Sequence, residues 1–324
     1  MSHPPVPLGS FPTPVEPAPR LAAALGLAPD DLWVKRDDLT GLGGGGNKIR
    51  KLEWTVGAAL AEGADTLVTT GAAQSNHARL TAAAGARLGL DVVLVLRGSP
   101  GGSHSGNLAL DGLFGARLAW AGEVDRAGLD AAAAEVCARL RATGSCPALI
   151  PFGGSSTLSA QGYVRCGEEL RAQVPGLRTA VVALGSGGTM AGLVAALGTE
   201  SVLGVDVGAL PDPAAAVALL AAPLMAEEIT AEALRVRRDQ VGAGYPVLTD
   251  PVRDALRLAG RTEGLVLDPV YTGRALAGLR AAVQDGGVRP GEKTVFLHTG
   301  GLPGLFGHPD AVAFAEEGAG VFGE

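Results

Sequence analysis

Short apolar runs rich in β-branched residues alternate along the chain with longer stretches in which alanine and leucine recur at helical spacing. The short runs predict buried strands, and the longer stretches predict helices. Predicted strands cover residues 32–35, 66–70, 92–96, 117–120, 148–150, 179–184, 202–207 and 294–298. One predicted helix begins near residue 49, and others cover 75–88, 108–114, 126–143, 156–173 and 190–197. This alternation indicates βαβ units, so the predicted fold class is α/β with largely parallel sheets.

The length of the chain and the character of its first part predict two lobes. A chain of 324 residues exceeds the size that one hydrophobic core usually supports. The first fifty residues are rich in proline and contain one convincing strand, 32–35. We therefore expect them to pack onto a later lobe rather than to fold alone.

Charge and cysteine content narrow the classes of partner. The net charge of −7 offers no broad basic surface, so nucleic acid is not an expected partner. Three cysteines without metal-type spacing indicate neither a disulfide framework nor a metal site. No apolar run reaches the roughly 18 residues of a membrane span, and no leader-like segment opens the sequence. These features favour a cytoplasmic protein that does not contact membranes.

Lys48 follows a run of four glycines, Gly43–Gly46, and Asn47. Glycine permits positive φ angles and lets the backbone approach a ligand closely. A lysine held there among apolar neighbours, beside Arg50 and Lys51, is expected to have a lowered pKa. A lowered pKa favours the free amine that Schiff-base chemistry needs, so Lys48 is a candidate catalytic residue. The alternative is a solvated lysine after a glycine loop.

Three polar residues, Ser75, Asn76 and His77, stand where the strand 66–70 gives way to a helix. Helix capping accounts for one such residue. Open α/β sheets bind ligands at the carboxyl ends of their strands, so the others are candidates for contact with a ligand. A single histidine at such a position is more often structural than catalytic.

A second glycine-rich turn, residues 185–189, joins the strand 179–184 to the helix 190–197. Its backbone N–H groups and the helix dipole favour a phosphate as the ligand. The glycine spacing matches neither the Walker pattern nor the dinucleotide fingerprint, which disfavours ATP and NAD. Any tight connection from strand to helix could also produce such a turn.

Four further candidates lie in the second half of the chain. Tyr271 and Thr272 occupy a predicted switch from strand to helix, Thr299 ends the last predicted strand, and Tyr245 lies in a loop. Ordinary packing is the alternative role for the tyrosines.

Taken in order, these motifs resemble the D-cysteine desulfhydrase and 1-aminocyclopropane-1-carboxylate deaminase family of fold type II (tryptophan-synthase-β-like) pyridoxal-phosphate enzymes. The resemblance runs from Pro12-Thr13-Pro14 and Val34–Asp38 to Thr299-Gly300-Gly301. It implies pyridoxal 5′-phosphate as cofactor, a small amino acid as substrate and a homodimer. It also implies a small α/β domain over residues 51–159 and a large, discontinuous domain formed by residues 1–50 and 160–324.

The resemblance implies a role for each candidate residue. Lys48 aligns with the lysine of the family's Gly-Gly-Asn-Lys, which forms the Schiff base with the cofactor, and Asn76 would contact the pyridoxal 3′-oxygen. The phosphate would be bound by Gly185, Ser186, Gly187, Gly188 and Thr189. The pyridine nitrogen would be contacted by Thr272 and Thr299. Catalysis would involve Ser75, Tyr245 and Tyr271, and the substrate would be contacted by Ser75, Asn76 and His77.

Thr272 bears on which reaction is catalysed. The deaminase branch typically reads Tyr-Glu-Gly where this chain has Tyr271-Thr272-Gly273, and Ser-Asn-Gln at Ser75-Asn76-His77. A carboxylate would keep the pyridine nitrogen protonated, whereas a threonine offers only a neutral hydrogen bond. Opening a cyclopropane should need stronger electron withdrawal than expelling sulfide. The predicted reaction is therefore α,β-elimination from D-cysteine or a close β-substituted alanine.

Other functions stay open at this point. Deamination of 1-aminocyclopropane-1-carboxylate is the nearest, and sulfite release from cysteate is another elimination that the site could support. A nucleotide-dependent oxidoreductase or a non-catalytic binder of small ligands could share the α/β layout. Arg274 stands where the family usually has a lysine, and this replacement is expected to have little effect at a helix start. Residues 98–107 and 207–238 depart from the family and are expected to shape the substrate pocket.

Overall fold

The computed structural model of the protein describes residues 4–101, 105–245 and 247–318. The strands are β1 (Val15–Pro17), β2 (Leu32–Arg36), β3 (Thr66–Ala72), β4 (Asp91–Arg97), β5 (Arg117–Trp120), β6 (Pro147–Leu149), β7 (Leu177–Leu184), β8 (Val202–Asp206), β9 (Arg235–Arg237) and β10 (Lys293–His298). The α-helices are α1 (Pro19–Leu25), α2 (Lys48–Ala61), α3 (Asn76–Leu88), α4 (Asn107–Leu113), α5 (Arg126–Ala142), α6 (Thr157–Gln173), α7 (Gly188–Leu197), α8 (Pro213–Ala221), α9 (Asp250–Glu263), α10 (Thr272–Gln284), α11 (Leu302–Phe306) and α12 (Pro309–Glu317).

The strands form two sheets. A six-stranded sheet has the order β1-β2-β10-β7-β8-β9, and a four-stranded sheet has the order β5-β4-β3-β6. Every pairing is parallel except that of β1 with β2. The predicted α/β class with largely parallel sheets is therefore confirmed. Because β2 pairs with β10, the N-terminal segment joins a sheet built from the second half of the chain. The bounds of the two domains stay a prediction.

The structure adds elements that the apolar pattern does not predict. Among them are β1, the edge strand β9 and the helices α8 and α9. Strand β9 reads Arg-Val-Arg and is only partly buried, so it carries no apolar run. Residues 264–270 form no strand, so the expected switch from strand to helix at Tyr271 is a turn that leads into α10.

A buried ion cluster ties α2 to the six-stranded sheet and to α6. Nε of Arg50 lies 2.9 Å from Oδ2 of Asp37, and its Nη1 lies 2.8 Å from Oε1 of Glu169. Lys35 is fully buried, and its Nζ lies 2.6 Å from Oε2 of Glu169. The Tyr163 hydroxyl donates to Asp37 at 2.6 Å. Two cations and two carboxylates thus neutralise each other where α2 begins.

Replacement of Arg50 by methionine is expected to lower the free energy of unfolding by about 3 kcal/mol, because it leaves the buried Asp37 carboxylate without its cation. Denaturant unfolding of the two proteins measures this difference. Arg139→Met is the matched control, since both side chains of the Arg139–Glu135 pair are largely exposed and their pairing contributes little. Equal losses in the two variants would contradict a stabilising role for the cluster.

Candidate active site

A cavity of about 350 Å³ lies where the ends of strands from both sheets meet. It is lined by residues that directly follow β3, β7, β8 and β10, which is where parallel sheets bind ligands. The predicted site residues that line it are Lys48, Ser75, Asn76, His77, Gly185, Ser186, Gly187, Thr189, Tyr245, Tyr271 and Thr299. Two other predicted site residues, Gly188 and Thr272, lie next to lining residues but do not line the cavity themselves.

The glycine run positions Lys48 at the first residue of α2. All four residues of Gly43–Gly46 have positive φ angles, and a Cβ on Gly45 would lie 1.9 Å from the Asp38 carbonyl oxygen. Asn47 continues the turn, and its backbone N–H donates to the Thr299 carbonyl at 3.0 Å. The run is therefore required by close packing, and it brings Lys48 beside the end of β10.

The Lys48 amine lies in the cavity, where it makes a hydrogen bond and a cation–π contact. Its Nζ donates to Oδ1 of Asn47 at 2.9 Å and lies 5.6 Å from the centre of the Tyr271 ring. Burial, opposed by the charge of Asp268 and assisted by that of Arg79, lowers the pKa of Lys48 to about 8. The lowered pKa agrees with the sequence argument; burial is its main cause, and the neighbouring cation that contributes is Arg79 rather than Arg50 or Lys51.

This pKa predicts how cofactor capture depends on pH. Only the free amine of Lys48 attacks a carbonyl, and its fraction grows as the pH rises through about 8. The initial rate at which apoprotein captures pyridoxal phosphate should therefore rise between pH 6 and 8, roughly tenfold per unit, and level off above the pKa. Stopped-flow absorbance measures this rate. A rate that kept rising up to the usual lysine pKa would contradict the lowered value.

A second lysine, Lys51, is linked through Ser155 to the glycine turn that follows β7. Its Nζ donates to the Gly153 carbonyl at 3.0 Å and to Oγ of Ser155 at 2.8 Å. Ser155 also accepts from the Gly188 backbone N–H at 3.2 Å and lies 2.7 Å from Oγ of Ser186. Burial, and to a smaller extent the charge of Lys48, lowers the pKa of Lys51 well below its usual value. Among the residues that the structure describes, no carboxylate pairs with this amine, so the turn and Lys51 together form a site that an anion would complete.

The turn itself has the geometry of a phosphate cradle. Gly187 has φ +89°, and α7 begins at Gly188, so backbone N–H groups converge there with the helix dipole. The Thr189 hydroxyl accepts from Nδ2 of Asn47 at 3.0 Å. Since Oδ1 of Asn47 also accepts from Lys48, Asn47 links the reactive lysine to the cradle.

Ser75, Asn76 and His77 open α3 with their side chains in different directions. The Ser75 hydroxyl accepts from the Ala78 backbone N–H at 3.1 Å, which makes Ser75 the N-cap. Oδ1 of Asn76 accepts from Nδ2 of Asn107 at 3.0 Å, which fixes the amide at the cavity wall. Nε2 of His77 lies 2.9 Å from the Thr69 hydroxyl, and burial lowers the pKa of His77 well below its usual value. The imidazole is therefore neutral and held against β3.

Two tyrosine hydroxyls meet at the opposite side of the cavity. Tyr245 and Tyr271 are hydrogen-bonded to each other, and their rings pack edge to face with centroids 6.0 Å apart. Burial raises the pKa of Tyr271 to about 12 and that of Tyr245 well above its usual value. Both phenols therefore hold their protons at neutral pH.

Thr272 is bound to a carboxylate that the sequence did not identify. Its hydroxyl donates to Oδ1 of Asp268 at 2.7 Å, and its backbone N–H donates to the same oxygen at 2.9 Å. Asp268 also accepts from the backbone N–H groups of Val270 and Tyr271 and thus closes the first turn of α10. The Thr272 hydroxyl proton is committed to this carboxylate.

The sequence reasoning missed several residues that build the site. Lys51 could have been found, because it lies three residues after Lys48 on the same helix and therefore on the same face. Arg79 is buried and donates to the carbonyls of Gly43 and Gly45, so it supports the loop before Lys48. The residues from 208 to 211 line the cavity, in accord with a role for the divergent segment in pocket shape. Of the loop 98–107, residues 102–104 lie outside the described part of the chain.

Within the described residues, none of the helices combines the length and apolar character needed to cross a membrane. The same residues contain no group of three histidine, cysteine or acidic side chains that could hold a metal ion.

Comparison with known proteins identifies similar chains over nearly the whole length. The family model described as pyridoxal-phosphate dependent enzyme matches residues 6–300. A Pyrococcus abyssi protein, provisionally named 1-aminocyclopropane-1-carboxylate deaminase, is 42% identical over 306 residues, which cover 91% of this chain and 90% of that protein. D-cysteine desulfhydrase from Salmonella paratyphi B is 40% identical over 316 residues, 92% of this chain and 94% of that protein. The crystal structure of an ACC deaminase homologue superposes with a TM-score of 0.88, 38% identity and 96% coverage of each chain.

Proposed function

Since the chain belongs to the family of pyridoxal-phosphate-dependent enzymes, we propose that it catalyses α,β-elimination from D-cysteine or a closely related β-substituted alanine. The products would be pyruvate, ammonia and sulfide. One observation carries the proposal: a lysine with a lowered pKa and two protonated phenols line the same cavity. Such a cavity holds both a base for Cα and an acid for a leaving group at Cβ.

The predicted family, cofactor and fold type II architecture are confirmed by the family match and by the superposition. This membership removes the nucleotide-dependent oxidoreductase and the non-catalytic binder as alternatives. The residues present also fit the cofactor. Lys51 and the turn 185–189 would bind its phosphate, Lys48 would bond its carbonyl carbon, and Asn76 would contact its ring oxygen. Thr299, whose carbonyl accepts from the Asn47 backbone N–H, would face the ring nitrogen.

Pyridoxal phosphate, when bound, withdraws electrons from the Cα of the amino acid joined to it. In the proposed reaction the C–H bond at Cα and the C–S bond at Cβ break. The sulfur leaves with its electron pair and takes up a proton, and the unsaturated amine hydrolyses to pyruvate and ammonia. The protein must therefore remove one proton at Cα and deliver one at sulfur.

The pKa values assign these two proton transfers. Lys48 is suited to remove the Cα proton, because its pKa of about 8 lies near neutral pH. The raised pKa values of Tyr245 and Tyr271 keep both phenols protonated at neutral pH, so neither is available as a base and each carries a proton that the leaving sulfur can take up. The Ser75 hydroxyl accepts from its own helix, which leaves its proton free to hydrogen-bond the substrate.

One observation favours ring-opening deamination as a second candidate. The Asp268 carboxylate lies behind Thr272, in direct hydrogen-bond contact with the Thr272 hydroxyl. It supplies negative charge close to the position where the deaminase branch has a glutamate. One of the similar proteins also bears a deaminase name. Release of sulfite from cysteate is a third reaction that the same acid and base could support.

A substrate panel tests the proposal. Purified holoenzyme is given D-cysteine, L-cysteine, cysteate, β-chloroalanine and 1-aminocyclopropane-1-carboxylate in separate assays, and the keto acid is identified. We expect pyruvate from D-cysteine with the highest kcat/KM and no 2-oxobutanoate from the cyclopropane. Formation of 2-oxobutanoate without pyruvate from D-cysteine would replace the proposal with the deaminase.

We also propose that the enzyme is a cytoplasmic homodimer with a small amino acid as its partner molecule. The support for this is the family resemblance together with the low cysteine content. Sedimentation equilibrium of the holoenzyme would measure the number of subunits.

A further inference from the structure

Arg274 makes contacts that its place at a helix start does not explain. It is fully buried on α10, two residues after Thr272, and among the described residues none of its nitrogens hydrogen-bonds a carboxylate. Nη1 donates to the Val207 carbonyl at 2.6 Å. Nη2 lies within hydrogen-bonding distance of three carbonyl oxygens, at 2.7 Å from Gly244, 2.9 Å from Tyr245 and 3.1 Å from Val247.

These carbonyls belong to two segments that both reach the cavity. Val207 follows β8 and leads into the lining residues from 208 to 211, whereas Tyr245 lines the cavity itself. The two segments also touch directly, since a Cβ on Gly208, where φ is +71°, would lie 2.7 Å from a Val241 methyl. A single guanidinium therefore joins the segment that bears Tyr245 to the end of a sheet strand.

An arginine is needed for this arrangement. The guanidinium presents five donors in a rigid planar fork, whereas an ammonium is a compact charge with three. Burying a cation is costly unless its donors are satisfied. Here Nη1 and Nη2 serve four main-chain acceptors on two segments, while Nε has no partner among the described residues. The usual lysine of the family would reach fewer of these acceptors. Arginine at this position is therefore not a mild replacement in this chain.

We propose that Arg274 is a positioning residue that holds the Tyr245 hydroxyl against Tyr271 at the cavity wall. It touches neither the cavity nor any reacting atom, and it acts through the main chain on both sides of Tyr245. This inference rests on the proposed function in one respect only, which is the catalytic role of Tyr245. The tethering itself is a property of the protein without substrate.

Hydrogen exchange tests the tether without any assay of activity. Arg274→Met is compared with Arg280→Met, a variant on the same helix whose side chain is part-exposed and pairs with Asp254. In the apoprotein, amides of residues 242–245 and 247–249 should exchange at least about tenfold faster in Arg274→Met and at the wild-type rate in Arg280→Met, while the two sheets keep their protection. Unchanged exchange in this segment, or faster exchange throughout the protein, would overturn the tether.

A double-mutant cycle tests whether the tether acts through Tyr245. Arg274→Met should lower kcat by about 10- to 100-fold with cofactor content unchanged, because small misplacements of catalytic groups are costly. Arg274→Lys should recover part of this loss. In a Tyr245→Phe background, Arg274→Met should have no further effect on kcat. An equal loss in both backgrounds, or no loss in the wild-type background, would overturn the proposal.

The two experiments separate this inference from the proposed function. If D-cysteine is not a substrate but the exchange contrast appears, the tether stands and the proposed reaction fails. The cycle is then run on whichever amino acid of the panel is turned over.

Discussion

Replacement of Lys48 by alanine is expected to lower kcat/KM for pyruvate formation from D-cysteine by about 10³-fold or more. The variant loses both the amine that bonds the cofactor and the proposed base for Cα, and general base catalysis alone contributes about 10²- to 10⁴-fold. The side chain caps no helix and forms one hydrogen bond, to Asn47, so the fold should be retained. Steady-state rates at saturating pyridoxal phosphate measure the loss.

The control for this variant is Lys293→Met. Lys293 lies on the large sheet outside the cavity, and its exposed Nζ donates to the Pro175 carbonyl at 2.9 Å. Its replacement should leave the rate within about twofold of wild type, as expected for a surface change. Turnover by Lys48→Ala at the wild-type rate would remove Lys48 from the mechanism.

Replacement of Lys51 by methionine is expected to weaken the binding of pyridoxal phosphate by about 30-fold. A hydrogen bond from a charged group contributes about 1.5–3 kcal/mol. A phosphate bound at the turn would favour the charged form of Lys51, whose amine donates to the adjoining Ser155. The apoprotein should be at least as stable as wild type, because the variant no longer buries an amine that lacks a carboxylate partner. Equilibrium titration of the apoprotein measures the dissociation constant.

Pyridoxal without its phosphate is the internal control for the Lys51 variant. Its affinity should be equal in wild type and in Lys51→Met, because Lys51 is linked through Ser155 to the turn that would hold only the phosphate. A parallel loss of affinity for both compounds would show that Lys51 shapes the whole cavity rather than the phosphate cradle.

The sequence predicts those strands and helices that the order of apolar and polar residues identifies locally along the chain. Buried strands such as β3, β4 and β7 are runs rich in β-branched and apolar residues, and the helices after them repeat at helical spacing. Helix α8 reads as an unbroken apolar stretch without a polar face, and β9 is a charged edge strand. Neither has the periodicity that identifies an element, so both were missed.

The candidate site was predicted where its residues lie at strand ends or in glycine runs. Lys48, Ser75, Asn76 and the turn 185–189 are of this kind, and all of them except Gly188 line the cavity. The positions of Arg79 and Arg274 follow from contacts with carbonyls about 30 or more residues away in the chain. A local pattern carries no information about such contacts. For Lys51, the spacing from Lys48 places it on the same helix face, but the contact with Ser155, 104 residues distant, is not visible in a local pattern.

Two lysines with lowered pKa values face this cavity, so the central claim is that Lys48 bonds the cofactor and Lys51 binds its phosphate. Borohydride reduction of the holoenzyme, followed by proteolysis and mass spectrometry of the peptides, decides between them. We expect one phosphopyridoxyl group per chain, attached to Lys48, with Lys51 unmodified. Attachment to Lys51, or to neither lysine, would contradict the account.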